Sequence, residues 1–182
     1  RHVALPAEAI PDGTRRRILE VALQLFARWG FHGTSIRDLA GALGLQPGAL
    51  YVHFPSKDHI LAELARVGHE VHQNVLRQAL LESGREPAEQ LQALVRAHVL
   101  VHAGHPELAA LVNEELYALP AELAAPALAL RKQSTALLLE VIERGVKRGR
   151  FSCRNLTVTA AAISAMGLRT PYWYQPSREL SP

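Results

Sequence analysis

The chain has 182 residues, 48% hydrophobic and only 5% aromatic, with a formal net charge of +3, which suits one or two compact helical domains better than a β-sandwich. Its single cysteine, Cys153, excludes an internal disulfide framework, argues against a cysteine-based zinc cluster and fits a reducing, cytoplasmic location. No apolar run is long enough to span a bilayer and no signal-peptide pattern opens the chain, so no membrane partner is expected; the slight positive balance permits nucleic-acid binding without arguing for it.

Residues 1–11 hold Pro6 and Pro11 and no periodicity, and read as a flexible arm; the chain does not begin with Met, which is compatible with residues upstream of Arg1. Pro11-Asp12-Gly13-Thr14 then offers helix-start chemistry, with Asp12 or Thr14 as N-cap. Ile18, Val21, Ala22, Leu25, Phe26 and Trp29 form one apolar helical stripe, which Gly30 ends. A second helix spans about Ser35 to Leu43, with Ser35 and Asp38 at capping-box spacing. The third is short, from Pro47 at its first turn to about His53. Ser56 caps a long fourth helix reaching towards Leu81. Beyond the break at 82–87, helical segments are expected near 88–103, 106–118, 121–148 and 155–173, punctuated by Gly104, Pro106, Pro120, Gly149 and Pro171. No alternating β-branched run and no repeat of fixed period appears. The fold class is all-α.

Thr34 to Lys57 carries a sharper signal. With Ile36 as the first position of a helix-turn-helix frame, Ala40 is fifth, Gly44 ninth and Leu50 fifteenth. The fifth position must be small where the second helix crosses, the ninth suits glycine because the turn needs φ > 0, and the fifteenth must be apolar to hold the recognition helix down. A recognition helix must also bring its N-terminal half close to a major groove. Gln46 has the amide to bond an adenine edge, and Pro47, Gly48 and Ala49 allow close approach and thymine-methyl contact. Tyr51 and His53 add polar tips one turn on, while Lys57, Thr34, Ser35 and Arg37 stand at helix starts where cations and backbone N–H groups converge on phosphates. Arg15, Arg16 and Arg17 occupy the first turn of the first helix against its dipole; that placement serves either flanking phosphates or a merely solvated surface.

The stretch GTSIRDLAGALGLQPGALYVHFPSKDHIL, with RRRILEVALQLFARWGFHGTS upstream, resembles the N-terminal signature of TetR-type transcriptional regulators over about residues 14–64. The resemblance implies a homodimeric repressor whose C-terminal helices bind a small molecule and form the dimer interface. It gives DNA-facing roles to Thr34, Arg37, Gln46, Gly48, Ala49, Tyr51, His53 and Lys57. Many relatives carry Ser or Lys where Gln46 and Pro47 stand, so no operator sequence transfers. Ile142-Glu143-Arg144-Gly145, Gly149-Arg150-Phe151, Met166-Gly167 and Trp173-Tyr174-Gln175-Pro176 are similar to a TetR subgroup associated with lipid, steroid and aromatic-acid catabolism and with acyl-CoA ligands; Ser177-Arg178 departs from its pattern.

An acyl-CoA reader needs an apolar slot and cations for phosphates. Arg131, Lys132, Arg144, Lys147, Arg148, Arg150 and Arg169 are the available cations; most read as helix-surface charges, and Arg169 stands out among Ala165, Met166, Leu168 and Trp173. The candidate ligand-contacting set is His98, His102, Asn113, Tyr117, Met166, Arg169 and Trp173. His98 and His102 are one turn apart, His105 follows, and His69 and His72 form a second pair; a metal would need a further ligand such as Glu114 or Glu115, and pocket-polar roles are preferred, with no metal and no cofactor expected. Leu137, Leu138, Val141, Ile142 and Gly145, with Ala160, Ala161, Ala162, Ser164 and Ala165, form either a dimer surface or intramolecular core.

The expected organisation is an arm over 1–11, a three-helix DNA-binding domain over 12–58 and, joined by the long fourth helix, a ligand-binding and dimerisation domain over 59–182. The expected function is a ligand-responsive repressor that binds a pseudo-palindromic double-stranded operator as a homodimer and is released by a small hydrophobic ligand or acyl-CoA thioester. The alternatives are a repressor of an efflux system that answers drug-like molecules and a metal-dependent helical enzyme. No catalytic residue is assigned, because no phosphate-binding loop, G-x-S-x-G or H-E-x-x-H occurs.

Overall fold

The computed structural model describes residues 5–7 and 9–174, and every regular element among them is helical. In chain order these are α1 (Thr14–Trp29), α2 (Ile36–Leu43), α3 (Pro47–Tyr51), α4 (Lys57–Glu82), α5 (Pro87–Gly104), α6 (Pro106–Glu115), a 3-10 turn at Leu116–Ala118, α7 (Ala121–Lys147), α8 (Leu156–Leu168) and α9 (Thr170–Trp173). Two compact units result: residues 1–70 with 107–128, and residues 71–106 with 129–182. The α4 and α7 helices contribute to both, so compactness does not break at the boundary expected after residue 58. Gln175-Pro176 and Ser177-Arg178, together with residues 1–4 and 8 of the arm, lie outside the described residues. Among the described residues no helix is long and apolar enough to cross a membrane.

In the first unit, Ile18, Leu19, Ala22, Leu23 and Phe26 of α1 meet Leu39 and Ala40 of α2, Leu50 of α3, Phe54, and Ile60, Leu61 and Leu64 of α4 in one core. Trp29, read as part of the apolar stripe, is instead half exposed at the end of α1, beside the Arg28 guanidinium. The three helix-turn-helix conditions are all met: Ala40 and Leu50 are buried, and Gly44 adopts φ 69°, ψ 29°. A β-carbon at Gly44 costs about 1–2 kcal/mol in that left-handed conformation. Gly41 is helical with open space around its missing side chain, where alanine gains roughly 0.5–1 kcal/mol. Gly44→Ala and Gly41→Ala are therefore expected to shift the urea unfolding midpoint in opposite directions, down and up; equal shifts would contradict the turn geometry.

The α2 capping box forms as its spacing predicts: Asp38 N–H donates to Ser35 Oγ (3.2 Å) and Ser35 N–H donates to Asp38 Oδ2 (2.8 Å). Those bonds hold the Asp38 carboxyl below its ordinary range. Ser56 accepts from His59 N–H at 3.4 Å at the start of α4. At α1 the expected cap is corrected: Gly13 is the N-cap, no side chain caps it, and the Asp12 carboxylate lies 3.7 Å from Arg16 Nε instead.

The described part of the arm is packed rather than flexible. Leu5 and Ile10 are buried in the first core. Arg16 holds the segment by donating from Nη2 to Leu5 O (2.7 Å) and from Nη1 to Ile10 O (2.8 Å), Pro6 O and Ala7 O (3.3 Å each), with Nε on Glu20 Oε1 (3.0 Å). A guanidinium has five N–H donors in a rigid fork, and here the preceding chain supplies the acceptors.

Two helix ends come earlier than expected. Pro120 disfavours helical backbone at Leu119 (ψ 147°), so α6 tightens into a 3-10 turn after Glu115. Pro171 lacks the N–H needed to continue α8, which stops at Leu168 before the short α9.

The second unit has its own core of Leu76, Leu94, Ala97, Leu138, Val141, Ile142 and Ala160. The α7 face offered as a dimer surface is thus intramolecular: Leu138, Val141, Ile142 and Gly145 are buried, and Leu137 packs against the same cluster. The Phe151 ring folds onto Gly145, where a β-carbon would lie 2.1 Å from it, while Arg150 N–H donates to Gly145 O (2.8 Å). That reversal explains why Gly145 and Phe151 go together in this sequence.

Candidate nucleic-acid interface and histidine cluster

The N-terminal half of α3 is presented as the sequence requires. Gln46 is its extended N-cap, Pro47 fills the first turn, and Gln46 and Gly48 are exposed. Ala49 is half-buried, and nothing lies within 4 Å of a β-carbon built at Gly48. Tyr51 is 53% exposed on the same short helix, and Val52, just beyond it, is still more open. His53 is half-buried. Arg37 and Arg17 are exposed on α2 and α1, Arg17 reaching Leu43 O at 3.4 Å.

Several residues expected on phosphates also make contacts within the chain. Thr34 is only 1% exposed, and its hydroxyl donates to Gly30 O (2.9 Å), so its side chain locks the α1–α2 connection. The Ser35 hydroxyl donates to Asp38 Oδ2 (2.6 Å). Lys57 Nζ donates to Phe31 O (2.7 Å) and Thr34 O (2.8 Å) and sits 4.3 Å from the Phe31 ring centroid. Arg15 lies over the Phe54 ring at 4.2 Å, donates to His53 O (3.0 Å) and approaches Glu63 Oε1 (3.6 Å). The Glu63 carboxyl is held below its ordinary range mainly by its hydrogen bonds from Arg66, with Arg15 adding to the effect. Arg16 is committed to the arm. Of the candidate set, Arg15, Arg17, Ser35, Arg37, Gln46, Gly48 and Tyr51 are exposed, and Ala49 and His53 are half-buried.

The second unit gathers three imidazoles. His72 of α4, His98 and His102 of α5 each offer a nitrogen, and these atoms all lie within 4.8 Å of one another. His72 Nε2 and His98 Nδ1 are 2.8 Å apart, His98 Nε2 is 3.0 Å from Ser164 O, and His102 Nδ1 is 2.7 Å from His98 O. A β-carbon at Gly167 would fall 2.0 Å from the His98 ring, so only glycine leaves room for it there. The third member comes from His72, and neither His105 nor the Glu114/Glu115 pair belongs to the group. No short-range spacing could show this, since 26 residues separate His72 from His98.

Burial lowers the His98 imidazole, and burial followed by the neighbouring His98 pushes His102 down to about 4. In the unfolded chain both protonate near 6.5. The unfolded state then binds more protons on acidification, so the stability owed to the neutral pair is complete above pH 6.5 and is lost as pH falls from there towards 4. Urea midpoints are expected to fall across that window; a flat profile would contradict the burial of the pair.

The remaining ligand candidates are divided between the two units. Asn113 and Tyr117 belong to the first unit, the former half-buried and the latter exposed. In the second unit Met166 is 67% and Trp173 53% exposed, and the Arg169 guanidinium lies 4.5 Å from the Tyr172 ring. Among the other cations, Arg144 donates to Gln90 Oε1, Lys147 pairs with Glu143 (2.8 Å), and Arg150 lies 3.4 Å from Glu86.

The family model for bacterial regulatory proteins of the tetR family matches residues 18–64, the span holding the helix-turn-helix. The model for the tetracyclin repressor-like C-terminal domain matches residues 84–182, more than half of the chain. The chain belongs to the TetR family of transcriptional regulators.

Among TetR-family relatives, the HTH-type transcriptional repressor KstR2 of Rhodococcus jostii is 31% identical over 141 residues, covering 77% of this chain and 69% of the relative. A TetR-family regulatory protein from Rhodococcus RHA1 superposes with a TM-score of 0.87 at 27% identity, over 94% of this chain and 90% of that one. The ketosteroid regulator KstR2 of Mycobacterium tuberculosis gives 0.83 at 26% identity, over 98% and 89%. AibR, solved in complex with isovaleryl coenzyme A and operator DNA, gives 0.82 at 25% identity, over 92% and 90%.

Proposed function

We propose that this TetR-family regulator is a cytoplasmic repressor that binds a pseudo-palindromic operator as a homodimer and is released by a small hydrophobic ligand or an acyl-CoA thioester. The observation that carries the DNA reading is the open N-terminal half of α3: exposed Gln46 and Gly48, an uncrowded approach at Gly48, and an outward Tyr51. A groove-reading helix needs its backbone close to base edges, and no bulky group stands in the way.

The homodimer is supported by α8. Val158, Ala161, Ala162, Ala165 and Met166 are all exposed and recur at helical spacing, an apolar stripe on a helix that also buries Ala160 and Gly167 inward. Small residues there favour close helix packing against a second copy. Two-fold symmetry would place the two α3 helices roughly 34–36 Å apart, one duplex turn. The acyl-CoA class is supported by the likeness to AibR, solved with isovaleryl coenzyme A.

The test is selection of duplexes from a random pool by the full chain, followed by gel shift with a CoA thioester, the matching free acid or a drug-like hydrophobe. The expected result is an enriched inverted repeat whose complex is dissolved by the thioester. Failure to enrich any inverted repeat overturns the DNA reading. Release by the hydrophobe alone replaces the acyl-CoA assignment with the efflux alternative.

A further inference from the structure

We propose that His72, His98 and His102 form a three-histidine site for one divalent transition-metal ion of the zinc type. The hydrogen bonds around the cluster set which nitrogens are available. His98 Nε2 faces the carbonyl of Ser164 at 3.0 Å and must donate to it, which leaves a lone pair on Nδ1, the atom turned towards His72. His102 Nδ1 faces the carbonyl of His98 at 2.7 Å and must donate to it, which leaves a lone pair on Nε2. Backbone carbonyls holding the far nitrogen of each imidazole are the usual outer support of a metal-bound histidine, fixing tautomer and ring orientation.

Because His98 Nδ1 is an acceptor, His72 Nε2 carries a proton in the metal-free cluster. His72 binds an ion there as its other tautomer: solvent takes the Nε2 proton and returns one to Nδ1, freeing the Nε2 lone pair, so the ring stays neutral and no net proton is lost. The 2.8 Å separation of His72 Nε2 and His98 Nδ1 is that of a hydrogen bond. Metal–nitrogen bonds of about 2.0–2.1 Å in a tetrahedron place ligand atoms roughly 3.3 Å apart, so His72 and His98 must spread by about half an ångström while the widest pair, within 4.8 Å, closes by up to about 1.5 Å. Imidazole donors suit zinc, nickel, cobalt or copper, and three protein ligands leave a fourth position for water. Gly167 is part of the construction, since any larger residue would push the His98 ring away. Burial keeps His98 and His102 neutral, so protons compete little for their lone pairs near pH 7.

The site is independent of the DNA reading and is tested on the full chain after removal of adventitious metal with a chelator. Zn2+ titrated against a chromophoric competitor is expected to bind at one ion per chain. Co2+ is expected to give the visible d–d bands of a four-coordinate site, displaced by Zn2+. His72→Gln and His102→Gln are each expected to weaken uptake by about 100-fold or more, whereas His69→Gln, outside the cluster, leaves it unchanged. Absence of one-to-one uptake and of the cobalt bands in the unaltered protein overturns the site, and this reading stands even where a variant fails to fold. Unchanged uptake in folded His72→Gln and His102→Gln also overturns it.

Discussion

Replacing Gly48 by glutamate is expected to lower affinity for a selected operator by at least about 100-fold, roughly 2.7 kcal/mol, while leaving the thermal midpoint at or slightly above that of the unaltered protein. The two halves of this expectation come from different physics. In the folded chain nothing lies within 4 Å of a β-carbon at position 48, so the side chain meets no neighbour. Losing a glycine also narrows the unfolded ensemble, and a carboxylate in the first turn of α3 agrees with the helix dipole. On DNA the same side chain would stand between the α3 backbone and the groove floor and bring negative charge towards phosphates. Fluorescence anisotropy with a labelled duplex, read beside a thermal melt, separates the effects. Affinity kept within about threefold would remove α3 from the interface.

Lys57→Ala is expected to destabilise the first unit by about 2–3 kcal/mol and to lower the thermal midpoint by roughly 4–10 °C. Its ammonium joins the carbonyls of Phe31 and Thr34 across the α1–α2 connection, and alanine removes both charge-assisted bonds and the contact with the Phe31 face. Operator affinity is expected to fall as well, because the loop that orients α2 loosens. A phosphate contact leaves a different signature: an unchanged midpoint, with the slope of log affinity against log salt reduced by about one. That outcome would return Lys57 to the DNA surface.

What could be read from the sequence was local. The Ala40, Gly44 and Leu50 frame, the Ser35–Asp38 box and the Pro47 start depend on neighbours within a turn or two, and each appears where its spacing put it. The contacts that the cations make within the chain were not legible, for the opposite reason. Arg15 and Lys57 take partners 23 to 48 residues away, such as Glu63 and Phe31, and Arg16 adds Leu5 and Ala7 of the arm to its one-turn neighbour Glu20; a long flexible side chain carries no periodic mark of where its head group ends. The histidines divide in the same way: His98 and His102 announce themselves by one-turn spacing, while His72 joins them only through the packing of α4 on α5 within the second unit. Leu138, Val141 and Ile142 show a third difficulty, since an apolar helix face looks alike whether it meets its own chain or a second copy.

The knot made by Arg16 sets where the shortest fragment that keeps the first core whole can begin. A fragment starting at Asp12 would strip Leu5 and Ile10 from the core and strand the guanidinium beside Glu20 without its carbonyls, so the fragment boundary falls at or before Leu5. Lysine is no substitute at that position: one ammonium nitrogen cannot reach acceptors spread over Leu5, Pro6, Ala7 and Ile10, which demand the width of a planar fork.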